Sequence, residues 1–244
     1  MPDKTITEQG KAFAKTLASL VDRADRVVLA CGGSKQAEEI KRVLDAGREA
    51  GITPGQPFDT IVGMSEGFLG FNVEQLISNA LIEKGRQDLL PVTAILTRTA
   101  DGAKNGLPTV LEAKAIRTLI DGTCRYLLAG TTGGIPVKYT KDGWTGEYTL
   151  HSVYMTAAAV ADAAGSDTLL LILADDADDV PADIYTAESA REAAQNMAEP
   201  DSLIAAALFV EGAPNRTAMV CRARDLKDML DTPDGRAGAV VKSL

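Results

Sequence analysis

One histidine, His151, and three cysteines, Cys31, Cys124 and Cys221, are all that the 244-residue chain has of the usual transition-metal ligands. That scarcity excludes a His-rich metal centre, and the absence of any CxxC spacing excludes a zinc ribbon or a dithiol redox motif. An odd number of widely separated cysteines does not make a disulfide framework and fits a reducing compartment. Positive charge is also short. Twenty-five Lys and Arg stand against 34 Asp and Glu, a formal charge of -9, and no basic stripe breaks the acidic balance. Sequence-independent nucleic-acid binding, which relies on cations against phosphate, is therefore not expected. No apolar run approaches the roughly 20 residues that span a bilayer. The opening MPDKTITEQG has neither the basic start nor the apolar core of a signal peptide. The expectation is a cytoplasmic protein with no membrane or nucleic-acid partner. Walker-type and dinucleotide fingerprints, internal repeats and low-complexity tracts are missing as well.

What is present is alternation. Hydrophobic residues make up 45% of the chain, enough to bury the core of one or two domains. Ile6, Phe13, Leu17, Leu20 and Val21 recur at helical spacing and predict a helix over 5–23. RVVLA (26–30) reads as a buried strand, followed by the Gly32-Gly33 turn and a charged helix over 36–49. A Pro/Gly loop at 52–57 leads to a strand in FDTIVGM and a helix from about 67 to 84. VTAILT (92–97) is a strand, 101–108 a polar turn, 109–121 a helix, and RYLLAG (125–130) a strand running into a glycine run. KYTKDGWTGE (138–147) reads as a hairpin or an exposed loop around Asp142-Gly143. A helix over 153–164 precedes TLLLILA, a continuous apolar run read as a central, parallel-type strand. Helices at 187–197 and 201–211, the strand TAMVCRA, a helix at 225–231 and the strand GAVVKSL complete the chain. Strands alternating with helices predict an α/β fold, a three-layer α/β/α sandwich with a mostly parallel central sheet. A division into lobes of residues 1–145 and 146–244 is expected.

Ligands in open α/β sheets bind outside the carboxyl ends of the strands. Three predicted strand ends run into small residues: Gly32-Gly33-Ser34, Met64-Ser65-Glu66-Gly67, and Gly130-Thr131-Thr132-Gly133-Gly134. Amides at such turns can hold an anion, and each turn alone can equally be a tight connection with no ligand. Three together favour a shared small-molecule cleft. Lys35, just after the first turn, is the one candidate catalytic cation, with a solvated surface lysine as the alternative. Asp175, Asp176, Asp178 and Asp179 follow LLLILA, where carboxylates could hold Mg²⁺ beside a nucleotide or simply form a solvated acidic loop. Cys31 sits where a thiolate would be favoured, though a buried structural cysteine is the plainer reading. Trp144 reads as loop packing.

Several of these segments together resemble the carbamate kinases of the amino acid kinase family. FDTIVGMSEGFLGFNVEQLISNAL (58–81) is similar to the family's helix with the methionine-serine-glutamine-glycine motif, with Glu66 in place of glutamine. TAILT (93–97), AGTTGGIPV (129–137), LLILADDADDV (170–180), AEPDSLIAAALFVEG (198–212) and GRAGAVV (235–241) resemble later family segments in order. CGGSKQ falls on the family's second glycine loop. The resemblance implies the amino acid kinase fold, a nucleotide lobe over 146–244 that takes ATP with Mg²⁺, and a first lobe for a small anionic or carbamate-like ligand at Gly32, Gly33, Ser34, Lys35, Ser65, Glu66, Thr131, Thr132, Gly133 and Gly134. The nucleotide-lobe candidates it implies are Asp175, Asp176 and Asp178. It also implies a homodimer through the helix near 67–82, whose Phe68, Leu69, Phe71, Leu76 and Ile77 are apolar.

The departures point away from catalysis. The family's first strand and phosphate-binding glycine turn have no counterpart ahead of the first helix. The inserted lid with its catalytic lysine is replaced by the short turn at 101–108. No aspartate stands at 152–154, and Ile204 with alanines follows PDSL where a lysine is expected. Lys35 or Lys104 could stand in for one lost lysine, but neither restores the missing turn. The expectation is a degenerate carbamate kinase-like protein acting as a ligand-binding or partner subunit. The alternatives are an active phosphotransferase between ATP and carbamate or a related acid, and a structural subunit of a hetero-complex.

Overall fold

A computed structural model describes residues 8–20, 23–24, 26–31, 42, 45–47, 49–51, 75, 78–87, 92–100, 106–122, 126–136, 138–140, 143–145, 152–173 and 180–243. Six helices have defined bounds: α1 (Glu8–Ser19), α2 (Ala113–Gly122), α3 (Val153–Ala164), α4 (Ala187–Ala194), α5 (Asp201–Glu211) and α6 (Leu226–Asp231). Ten strands accompany them: β1 (Val27–Cys31), β2 (Val92–Ala100), β3 (Thr109–Val110), β4 (Tyr126–Pro136), β5 (Lys138–Thr140), β6 (Gly143–Thr145), β7 (Thr168–Leu173), β8 (Asp183–Tyr185), β9 (Thr217–Arg222) and β10 (Ala239–Lys242).

The chain has the expected α/β/α layering, with its strands divided between two four-stranded sheets ordered β1-β4-β2-β3 and β7-β9-β10-β8. In the first, β4 lies between β1 and β2 and runs parallel to both, while β3 adds antiparallel to β2. In the second, β7 is parallel to β9 and β10 to β8, with β9 and β10 antiparallel. β5 and β6 pair antiparallel, with Lys138 opposite Thr145 and Thr140 opposite Gly143, as the hairpin reading of this stretch expects.

Side chains alternate across a strand, and the second sheet uses both faces. Leu169, Leu171, Leu173, Ala218, Val220, Ala239 and Val241 face one core with α3 and α5. Cys221 and Val240, helped by Leu170, Ile172 and Met219, face another built from Ala14, Leu17 and Ala18 of α1, Ala80, Leu81, and Leu226 and Met229 of α6. This two-sided burial explains the continuous apolar run of β7. It does not make β7 central: among the described strands it is the outermost of its sheet, paired with β9 alone.

Two other expectations shift. The helix read over 109–121 begins only at Ala113, because the β-branched Thr109 and Val110 pair with Ala100 and Thr99 as β3. β8, where the sequence pattern predicts no element, is a short strand beside β10. By contrast α3 occupies the predicted 153–164. Its alanine-rich sequence favours helix, and Gly165, at φ 72°, ends it in the left-handed conformation.

Candidate functional site

The register of the first sheet brings two predicted glycine runs to one place. Cys31 of β1 pairs with Gly130 of β4, and Gly130 pairs with Leu96 of β2. Neighbouring strands are about 4.8 Å apart, so the three residues form one row across three parallel strands, at the carboxyl end of β1 and midway along β2 and β4. Gly32 continues directly from Cys31, and Thr131 from Gly130. The next matched pair beyond Leu96↔Gly130 is Arg98↔Ile135. One residue of β2, Thr97, therefore stands opposite four of β4, Thr131 to Gly134. None of those four is in register with β1 or β2. The sequence expectation ended the strand at Gly130. The strand instead resumes its pairing with β2 at Ile135, and the glycine run is a wide bulge within it. Small residues and glycine suit such an extrusion, because amides that leave the ladder can turn toward an anion.

The second sheet has a corresponding edge. Leu173 at the end of β7 pairs with Arg222 at the end of β9. α3 leads through Gly165–Asp167 into the start of β7. Twelve helical residues rise about 18 Å and six strand residues about 20 Å. The N-terminus of α3 is therefore level with the carboxyl end of β7. The same connection places the N-terminus of α5 by the carboxyl end of β9. The two helix starts are tied together: the Tyr154 hydroxyl donates to Glu199 Oε2 at 3.3 Å. Burial, then the Glu199 carboxylate and its hydrogen bond, then Asp201, push the Tyr154 phenol from 10.0 up to about 12. Asp201 occupies the first turn of α5, where a carboxylate is favoured by the helix dipole. Arg222 shares a face of β9 with Val220 by the alternation of the strand, the face toward α3 and α5.

The raised phenol has a measurable consequence. Below pH 10 Tyr154 is protonated in both folded and unfolded chains and adds no pH dependence. Between pH 10 and about 12 the unfolded chain loses this proton first, so stability falls as pH rises. Thermal unfolding of Tyr154→Phe is expected to show a shallower alkaline decline than the parent over that range. Parallel declines would remove Tyr154 from the account.

Of the residues singled out from sequence, Thr131, Thr132, Gly133 and Gly134 lie in the β4 bulge. Gly32, Gly33, Ser34, Lys35, Ser65, Glu66, Asp175, Asp176, Asp178 and Asp179 lie outside the described residues, as do Phe68, Leu69, Phe71, Leu76 and Ile77. Tyr154, Glu199 and Arg222 are additions that sequence reasoning did not find. Their only sequence signal is position, at two helix starts and a strand end. The segment after PDSL is core: Ala205, Ala206 and Ala207 are fully buried, and Ile204 packs against the same cluster. Among the described residues, no group of three or more His, Cys, Asp or Glu is placed to hold a metal ion. None of the described helices is long and apolar enough to cross a membrane.

No profile of a known protein family matches the chain. Among curated proteins it is 32% identical over 94 residues to a carbamate kinase of Pyrococcus horikoshii, covering 38% of this chain and 29% of that one. It is 28% identical over 131 residues to the carbamate kinase of Pyrococcus furiosus, covering 54% and 41%. These matches span less than half of either relative. A longer match, 23% identical, covers 95% of this chain and 92% of a carbamate kinase of Staphylococcus haemolyticus. That alignment runs over 289 positions against 244 residues here, so at least 45 positions are filled by the relative alone. Among solved structures, the Giardia carbamate kinase superposes with a TM-score of 0.74 at 19% identity, covering 100% of this chain and 94% of the other. The same enzyme has been solved bound to AMP-PNP.

Proposed function

Starting from a chain that is a divergent relative of the carbamate kinases, we propose a small-anion-binding protein that has lost phosphoryl transfer. The first sheet, with its row of Cys31, Leu96 and Gly130, serves as the lobe for a carbamate-like or small carboxylate ligand. The second sheet serves as the former nucleotide lobe. The observation that carries the loss is the packing of α5. Where the family resemblance places a lysine, Ile204 to Ala207 pack into the core. Phosphoryl transfer is catalysed mainly by positioning and by cations that offset developing charge. Removal of one such stabilising group typically costs about 2.7–4 kcal/mol of barrier. Glu199 and Asp201 at the α5 start would add negative charge beside a nucleotide's phosphates.

A second reading, an active phosphotransferase between ATP and carbamate or a related acid, draws support from Arg222, a cation at the carboxyl end of β9. The two separate in a coupled assay of ATP formation from carbamoyl phosphate and ADP. We expect no signal above the uncatalysed background. Turnover near 1 s⁻¹, an ordinary enzyme rate, would establish the second reading. Carbamoyl phosphate at a hundredfold excess over its Kd is expected to stabilise the fold by about 2.7 kcal/mol. The absence of any shift with small anions would leave a structural subunit. A homodimer through the 67–82 helix belongs to the same proposal, with light scattering as its check.

A further inference from the structure

The two sheets share one core, and a short segment after β2 reaches across it. Leu107 and Val110 are buried in the same cluster as α3, α5 and the inner face of the second sheet. Gly106 goes further. Its backbone lies so close to α5 that a Cβ there would come within 3.2 Å of Leu208 Cδ2 and 3.4 Å of Leu208 Cδ1. Its φ is 80°, in the left-handed region, so both the turn and the close approach call for glycine. Leu208 is half-buried and packs against the same cluster. On the other side, Val110 pairs with Thr99 of β2. Thr99 has no exposed surface and stands two residues beyond Thr97, which faces the β4 bulge. The end of β2 beside the bulge is thus held, through β3, against a helix of the second sheet.

We infer that residues 106–110 are a clasp between the sheets, which ties the bulge end of β2 to α5 so that this end opens only when the second sheet's helices open. β3 offers only two paired residues. Its ladder alone is a weak hold, and the burial of Leu107 and Val110 supplies the rest. Arg117 adds a second tie. Its Nε donates to the Ala163 carbonyl at 2.6 Å, fastening α2 to the end of α3. The clasp is a matter of packing and holds whether or not the bulge takes an anion.

Native-state hydrogen exchange of the ligand-free chain, read by mass spectrometry, tests the clasp, because segments that open as one unit share one protection. In the parent, peptides over β2 (92–100) and β9 (217–222) are expected to show protection factors within about tenfold of each other. Leu107→Ala and Leu208→Ala, one on each side of the contact, should each lower protection of the β2 peptide by about tenfold or more, with a much smaller change in β9. Leu171→Ala truncates the same core within β7 and should lower both peptides alike. Circular dichroism confirms that each variant is folded. A parent whose β2 is already far less protected than β9 would overturn the inference. So would clasp variants that lower both peptides equally, as a simple core truncation does, or that change neither. If Leu107→Ala does not fold, Leu208→Ala, at a half-buried position, carries the comparison, and equal protection of β2 and β9 in it would sink the clasp.

Discussion

Replacing Gly238 by alanine is expected to cost at least about 4 kcal/mol of folding stability, in the range reserved for specific structural damage. A Cβ at this position would lie 2.2 Å from the Val220 carbonyl oxygen, 3.0 Å from the Met229 methyl carbon and 3.2 Å from Cys221 Cα. Two of these three atoms are backbone of β9, which lies between β7 and β10 and cannot yield without opening a ladder. Residue 238 immediately precedes Ala239, whose partner in the antiparallel ladder is Val220 itself. Relief would require β10 to move off β9, and both cores meet at that pair through Val240 and Val241. The backbone adds to the cost, since φ is 147°, outside the range that side chains readily adopt. Gly165→Ala is the control. Its φ of 72° is also left-handed, but no atom lies within 4 Å of its Cβ. It should cost only about 1–2 kcal/mol. In urea unfolding the two variants should differ clearly, and in thermal unfolding Gly238→Ala should melt roughly 8–16 °C below the parent for a chain of this size. Equal losses would show that steric closure at 238 is not what holds β10 in place.

The contrast between these two glycines illustrates what the sequence could and could not disclose. Gly165 is legible: it follows an alanine-rich helical run and precedes TLLLIL, so both its cap role and the bounds of α3 can be read locally. Gly238 also stands just before a strand, but its constraint comes from Val220, which is distant in sequence. Nothing in the local pattern marks it. The same division runs through the candidate site. The glycine runs after Cys31 and Gly130 are visible as small residues at predicted strand ends. That those ends form one row is a matter of register between strands about a hundred residues apart. The bulge of four residues opposite Thr97 is invisible without the partner strand. A continuous apolar run like that of β7 signals burial on both faces, which does not by itself fix a strand's place in its sheet. Helices on both sides supply that burial as well as a neighbouring strand would. β3 and β8 carry no readable strand pattern, because two or three residues contain too little periodicity.

Arg216 is the other position where a substitution should have a large effect, and there the source of the energy can be separated. Among the described residues it is the one charged residue that is buried, at 7% exposure. Its guanidinium donates to the Phe209 carbonyl of α5 at 3.0 Å and to Asp162 Oδ1 of α3 at 2.8 Å. It also lies over the Phe209 ring, 4.5 Å from the centroid. Its own carbonyl accepts from the Ser243 amide and hydroxyl, which fastens the chain after β10. Asp162, however, is 44% exposed at its side chain, so water screens the ion pair and its net worth is small. The larger share comes from a buried guanidinium with a fixed carbonyl partner and an aromatic face. Arg216→Ala, which loses all of these and leaves the Phe209 carbonyl without its donor, is expected to cost about 3 kcal/mol. Asp162→Asn should cost less than about 1 kcal/mol. Chemical denaturation of the two variants and their double mutant would give the coupling directly. If Asp162→Asn matched Arg216→Ala, the ion pair would be the dominant contribution, and the screening expected from the exposure of Asp162 would be the wrong physics for this contact.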